Sequence, residues 1–230
     1  MIKVALAGNP NVGKSVIFNA LTGARQKVGN WPGVTVEKKE GICEHKGKKM
    51  LIVDLPGIYS LSAVSIDEKI ARDFLLNEKP DVVVSIVDAS NIERNLYLTL
   101  QLIEMEANVV VALNKMDLAK SKGYRIDVRK LSAELGIPVV PMVAIRGEGI
   151  EELKNTIIYA SRAPRKPVIR YSDGIERYIE LLRSKVVENS ILPKYPPRFV
   201  AIKLLELDEE ILSKAGIGEE VIKEWISSVS

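Results

Sequence analysis

The chain has 230 residues, 47% of them hydrophobic, and a formal net charge of +3 at neutral pH. That length holds one large domain or a full domain with a small companion, and the apolar content suffices for a packed core. No uncharged apolar run approaches the ~20 residues of a membrane-crossing helix, and the N-terminus lacks a secretion leader. The single cysteine, Cys43, excludes an internal disulfide, and so small a charge makes no case for nucleic acid. A soluble, cytosolic globular protein is the expectation.

Ile2 to Ala7 reads as a short buried strand, and Val16 to Leu21 as the opening of a helix that ends near Thr22-Gly23. Between them, Gly8-Asn9-Pro10-Asn11-Val12-Gly13-Lys14-Ser15 has the G-x-x-x-x-G-K-[ST] spacing of a phosphate-binding loop. A strand, a tight glycine turn and a helix N-terminus aim main-chain N–H groups at one point, where the helix dipole adds positive potential. The loop expected to bind nucleotide comprises Asn9, Asn11, Val12, Gly13, Lys14, Ser15 and Val16. Lys14 is suited to reach the β- and γ-phosphates, and the Ser15 hydroxyl to ligate magnesium.

Residues 24–36 show neither helical nor strand period and read as a mobile loop carrying an exposed Trp31 and Thr35, whose hydroxyl suits magnesium and the γ-phosphate. Two extended segments, 37–45 and 48–53, follow as a hairpin turning at Lys46-Gly47. The second runs into Asp54-Leu55-Pro56-Gly57, where a carboxylate at a strand end suits magnesium and the Gly57 N–H is placed for the γ-phosphate. Residues 58–66 lack a period, and Asp67 to Asn77 reads as a helix.

Asp81 to Asp88 is an apolar run of the kind found in parallel strands covered on both faces. A helix over Ile92 to Glu106 and a buried strand over Asn108 to Leu113 follow, and that strand delivers Asn114-Lys115-Met116-Asp117 to the edge where open α/β sheets bind ligands. Guanine offers two adjacent donors, N1–H and the exocyclic amine, which one carboxylate such as Asp117 accepts together. Adenine lacks that pair and would leave the carboxylate unmatched. Asn114 is expected to tie the base loop to the phosphate loop, and the Lys115 stem to cover the ring and ribose.

Ile126 to Leu135 reads as a helix closed by Gly136, residues 137–143 as the last strand, 144–149 as a loop and Glu151 to Ser161 as the final helix of this unit. The alternation predicts an α/β fold: a mainly parallel six-stranded sheet with one antiparallel edge strand and helices on both faces. A linker at 163–167 divides residues 1–163 from a small all-helical part, 164–230, with helices over 173–189, 199–206, 208–214 and 218–229. Residues 165–230 carry eleven Lys/Arg against eleven Asp/Glu and so present no basic face from composition. A piece of ~65 residues buries little core alone and is expected to lean on its neighbour.

With the three motifs in order, the chain resembles the translation-factor-like P-loop GTPases. Gly8 to Ser15, Val28-Gly-Asn-Trp-Pro-Gly-Val-Thr-Val36, Asp54-Leu-Pro-Gly-Ile-Tyr-Ser-Leu61 and Lys203-Leu-Leu-Glu206 together resemble the ferrous iron transport protein B family, FeoB. The resemblance implies a cytosolic G domain with Mg²⁺ and GTP or GDP, a helical domain that restrains nucleotide release, and a membrane domain of the same longer polypeptide, so that the whole sits at the cytoplasmic face of the cell membrane, with homo-oligomers in the full-length protein. Lys14, Thr35 and Gly57 are then the catalytic set, and Ser15, Thr35 and Asp54 the magnesium set. The family comparison also implies potassium at Asn11, assisted by carbonyls from Gly29 to Trp31, doing the job of an arginine finger worth ~10³–10⁵ in rate.

Two departures are visible. Val143-Ala144 stands where the base loop of the GTPases reads Ser-Ala, leaving the Ala144 N–H to serve guanine O6. Ile58 replaces the water-orienting glutamine that many GTPases carry after Gly57, which implies slow turnover. An RNA- or ribosome-associated assembly GTPase, whose loops share Asn-Pro-Asn-Val-Gly-Lys-Ser, is the alternative. A non-enzymatic iron carrier is the third reading, since Cys43 and His45 share one face of a strand. Two ligands do not make a site, and ordinary hairpin side chains are the expectation there.

Overall fold

The computed structural model describes residues 1–62 and 64–227. The irregular stretch 58–66 and the expected last helix, 218–229, therefore each run partly outside the described residues.

Seven strands form one sheet in the order β2-β3-β4-β1-β5-β6-β7. They are β1 (Ile2–Gly8), β2 (Gln26–Asn30), β3 (Glu37–His45), β4 (Lys48–Asp54), β5 (Val82–Asp88), β6 (Val109–Asn114) and β7 (Val139–Pro141). Strand β1 pairs in parallel with β4 and β5, and β5–β6 and β6–β7 continue in parallel. Strand β3 runs against both of its neighbours. The α/β class, the mainly parallel sheet and the trailing helices are as expected, with two corrections. The sheet carries a seventh strand, β2, where the sequence read as a mobile loop, and the antiparallel strand lies one place in from the edge.

Both faces of the central strands are buried, which is why their sequences are apolar almost throughout. Along β1, Val4 and Leu6 enter one core while Ala5 and Ala7 enter the other. The first core is closed by α1 (Lys14–Thr22) and α6 (Ile150–Arg162) through Ile17, Phe18, Leu21, Leu153 and Ile157. On the opposite face lie α2 (Ile66–Glu78) and α3 (Ile92–Glu104), with Phe74, Leu98 and Leu102 buried. Helix α2 starts on a capping box in which the Ser65 hydroxyl accepts the Glu68 N–H and the Glu68 carboxylate accepts the Ser65 N–H. The short α4 (Met116–Ser121), which the sequence did not signal, and α5 (Val128–Leu135) lie between β6 and β7.

The C-terminal helices α7 (Asp173–Glu188), α8 (Pro197–Leu205), α9 (Glu209–Ala215) and α10 (Glu219–Ser227) do not make a separate core. Ile179, Leu182, Phe199, Leu204, Ile211 and Ile222 belong to the same buried cluster as the α2–α3 face of the sheet. Shared burial at roughly 25 cal/mol per Å² is what so small a piece needs to stay folded. Arg72 on α2 is fully buried and pairs with Glu210 on α9, which also receives Lys214 at 2.9 Å.

Candidate functional site

The parallel strands β1, β5 and β6, together with β4, end in Gly8, Asp88, Asn114 and Asp54 at one rim of the sheet. A cleft of about 560 Å³ opens there, lined by Asn9, Pro10, Asn11, Gly13, Lys14, Ser15, Val16 and Gly57. These are nearly all the phosphate-loop residues singled out from the sequence. The loop closes by local rules: Asn11 and Gly13 take left-handed backbone angles, φ 66° and 96°, and the Ile17 N–H donates to Gly13 O at 3.1 Å to begin α1. Val12 is buried and holds the loop to the core. Asn9 is also buried, and its Oδ1 has no partner among the described residues, so the cleft holds an unsatisfied acceptor.

Lys14 and Asp54 face each other, with Nζ to Oδ1 at 2.6 Å and side chains 13% and 9% exposed. Burial pushes the Asp54 carboxyl up against the pull of Lys14. Asp54 and Ser15 supply hard oxygen donors of the kind magnesium takes, so the residues present fit that ion. Thr35 does not join them: it is exposed and does not line the cleft.

Asn114 organises the base side. Its Nδ2 donates to Val12 O at 2.9 Å, and its Oδ1 accepts the Ala144 N–H at 3.0 Å, so one amide clamps the phosphate loop to the loop after β7. Gly13 leaves room for that amide, since a Cβ there would lie 2.4 Å from Asn114 Nδ2. Gly13→Ala is therefore expected to lower stability by roughly 2 kcal/mol, from the left-handed backbone and the displaced clamp together. Urea unfolding beside the parent checks this, and an unchanged midpoint would contradict it. Lys115 lies with Nζ 2.7 Å from Asp88 Oδ2 and 2.8 Å from Asn11 O. Burial works upward on the Asp88 carboxyl, but the Lys115 and Ser90 hydrogen bonds outweigh it and hold the group below the usual carboxylate range. Asp117 opens α4, with Oδ1 accepting the Leu118 N–H at 2.9 Å and Oδ2 3.4 Å from Arg146 Nη2.

Several expectations change here. The Ala144 N–H, expected for guanine O6, is taken by Asn114. Val143 is buried and bridges to Glu148 rather than facing the cleft. Trp31, expected to be exposed, is buried edge-on against Phe74 at 5.6 Å. The backbone of Gln26 to Asn30 is laid in the β2–β3 ladder, and Trp31 O accepts the Val34 N–H. Asn11 thus lines the cleft, and the segment expected to turn carbonyls toward a potassium ion lies in and just after the edge strand β2. Cys43 is buried and His45 meets Asn155 at 2.9 Å, and no metal-holding group of three or more His, Cys, Asp or Glu occurs among the described residues. Arg146, the ion-pair neighbour of Asp117, was not singled out by any sequence pattern.

Residues 2–157 match the family model for ferrous iron transport protein B, and residues 171–230 match that for the FeoB cytosolic helical domain. The chain belongs to the ferrous iron transport protein B family. Its G domain is of the P-loop GTPase type. The Fe(2+) transporter FeoB of Methanocaldococcus jannaschii is 56% identical over 222 residues, which is 95% of this chain and 33% of that protein. The cytosolic domain of the T. maritima FeoB iron transporter, solved in a GDP form and a GMPPNP form, is 42% identical. Each form superposes with a TM-score of 0.88, covering 99% of this chain and 94% of the other. The chain spans about a third of the length of the curated relatives it matches, and among the described residues no helix is long and apolar enough to cross a membrane.

Proposed function

We propose that this chain binds GTP and GDP in the cleft at the sheet rim, hydrolyses GTP slowly, and serves as the cytosolic switch of a longer protein that moves ferrous iron through a membrane domain. The observation that carries the reading is the Asn114 clamp: one side chain fixes the phosphate loop and the base loop at a set spacing, with Asp117 three residues on. The guanine-nucleotide forms of the T. maritima domain support it. Division of labour between residues 1–163 and the helices after 164 is part of the proposal, the helices tuning release.

The chemistry needs no covalent intermediate. Water attacks the γ-phosphorus as the bond to the bridging oxygen breaks, and the site's work is to place and stabilise charge. Lys14 exchanges Asp54 for phosphate oxygens, the loop N–H groups receive the rest of the charge, and Asn9 gains a polar neighbour. Ser15 and Asp54 would hold magnesium, which when bound would supply positive charge against the phosphates. Thr35 reaches the γ-phosphate only if residues 31–36 move. Ile58 is buried, and its N–H donates to Gly8 O at 3.2 Å, so neither its side chain nor its amide orients the attacking water. Slow turnover follows.

Phosphate release with magnesium tests the reading. The parent chain is expected to turn over GTP but not ATP, with Lys14→Ala reducing the rate by at least ~10²-fold. Equal turnover of ATP, or a Lys14→Ala variant as active as the parent, would overturn it. A faster rate in potassium than in sodium would support a monovalent cation at Asn11. The assembly-GTPase alternative has no support in the C-terminal part, which matches a FeoB helical domain.

A further inference from the structure

Helix α7 shows a common arrangement of surface charge: Arg183 pairs with Glu180 and Lys185 with Glu188, each three positions away. Residues 118–130 depart from it. They carry five Lys/Arg, at 120, 122, 125, 129 and 130, against one acid, Asp127, a surplus of four in a chain whose whole formal net charge is +3. All five cations are exposed, and none of them is in an ion pair among the described residues. Lys122 reaches only the Ser90 hydroxyl, at 3.5 Å. The single acid is spent on the backbone, its Oδ1 accepting the Lys130 N–H at 3.0 Å as the cap of α5.

Local rules hold this tip in shape. Helix α4 ends in two main-chain bonds, Tyr124 N–H to Ala119 O and Gly123 N–H to Lys120 O, both 3.0 Å, with Gly123 at φ 83°. On the inner side Ala119 is buried, and Ile126, Val128 and Leu131 pack against the core cluster that also holds the C-terminal helices. On the outer side Tyr124 is 54% exposed and Leu118 41% exposed. Unneutralised cations set around an aromatic ring and a leucine match a surface that is negative at its face and hydrocarbon just beneath. We propose that this tip, from Leu118 to Lys130, docks on the anionic headgroups of a lipid bilayer. The inference rests on the reading above, in which a membrane domain of the same longer protein brings the chain to such a surface. Tethered there, the chain needs only a weak contact, because the tether keeps the effective concentration high. Nucleic acid fits the tip less well, since one exposed aromatic offers no series of platforms for successive bases.

The test is co-sedimentation of the chain with vesicles of phosphatidylcholine alone and with vesicles in which half of that lipid is replaced by phosphatidylglycerol. Partition into the anionic vesicles is expected to exceed that into the neutral ones by at least ~10-fold at about 50 mM salt, and to be lost at about 500 mM. A variant combining Lys120→Gln, Arg125→Gln, Arg129→Gln and Lys130→Gln is expected to lower the anionic partition by roughly tenfold or more. A control that loses the same charge at exposed sites elsewhere, Lys46→Gln, Lys48→Gln, Lys79→Gln and Lys194→Gln, is expected to stay within about threefold of the parent. Equal losses in the two variants would overturn the proposal, since net charge and not the tip would then do the binding. A parent that ignores anionic vesicles would overturn it too, as would one that binds single-stranded RNA more tightly than vesicles of equal charge. Phosphate release from GTP, read on the same samples, keeps the two readings apart: a parent that hydrolyses GTP but ignores the vesicles refutes the tip alone. Unchanged thermal unfolding of the first variant excludes a folding defect as the source of its loss.

Discussion

Replacing Asp117 with asparagine is expected to lower GDP affinity by about 10–100-fold and to create affinity for xanthosine diphosphate, because the carboxylate is matched to two donors and an amide is not. Xanthine keeps N1–H but carries an oxygen where guanine has its amine, so an amide offering one acceptor and one donor fits it. The substitution should leave the fold intact, since the Asp117 side chain is 30% exposed and its internal bond is to the adjacent Leu118 N–H. Calorimetry with the two diphosphates measures both arms. Unchanged GDP affinity would remove Asp117 from base recognition and with it the case for guanine.

That this prediction is legible in sequence follows from how such sites are built. Gly8 to Ser15, Asp54 to Gly57 and Asn114 to Asp117 each lie in a short stretch at a strand end, so spacing alone carries their geometry. The segment between Arg25 and Val36 was illegible for the opposite reason. Every residue of β2 is exposed and the strand has one partner, so no apolar alternation marks it. Trp31 looks like a loop residue until Phe74, far along the chain, covers it. The loss of the Ala144 N–H to Asn114 is likewise a contact across 30 positions, invisible to any local pattern. The α4 helix escaped because six residues are too few to show a period.

Arg72 is the sharpest case of a residue whose role is set at long range, and it supports the second large effect. Nothing local in Ala71-Arg72-Asp73 marks the arginine as buried, yet its side chain is 0% exposed and pairs with Glu210, 138 positions away. Its Nε and Nη1 have no partner among the described residues, so the buried charge depends on that one carboxylate. Glu210→Ala is expected to destabilise the chain by about 3 kcal/mol, toward the low end for a broken buried pair because Glu210 is 20% exposed. It also removes one partner of Lys214, which sits 2.9 Å from the same carboxylate but keeps Tyr195 Oη at 3.3 Å.

Arg72→Met should cost much less, since it removes the charge and keeps the apolar volume, and adding Glu210→Ala to it should cost little more. Burial works upward on the Glu210 carboxyl, but Lys214 and Arg72 hold it below its ordinary value of 4.5. The contribution is therefore full above that pH and fades as pH falls through the lowered folded-state value. Urea unfolding of the three variants at neutral pH gives the ordering. If Glu210→Ala proved no less stable than Arg72→Met, the ion pair would not be what joins α9 to α2, and the shared apolar cluster alone would hold the helices to the sheet.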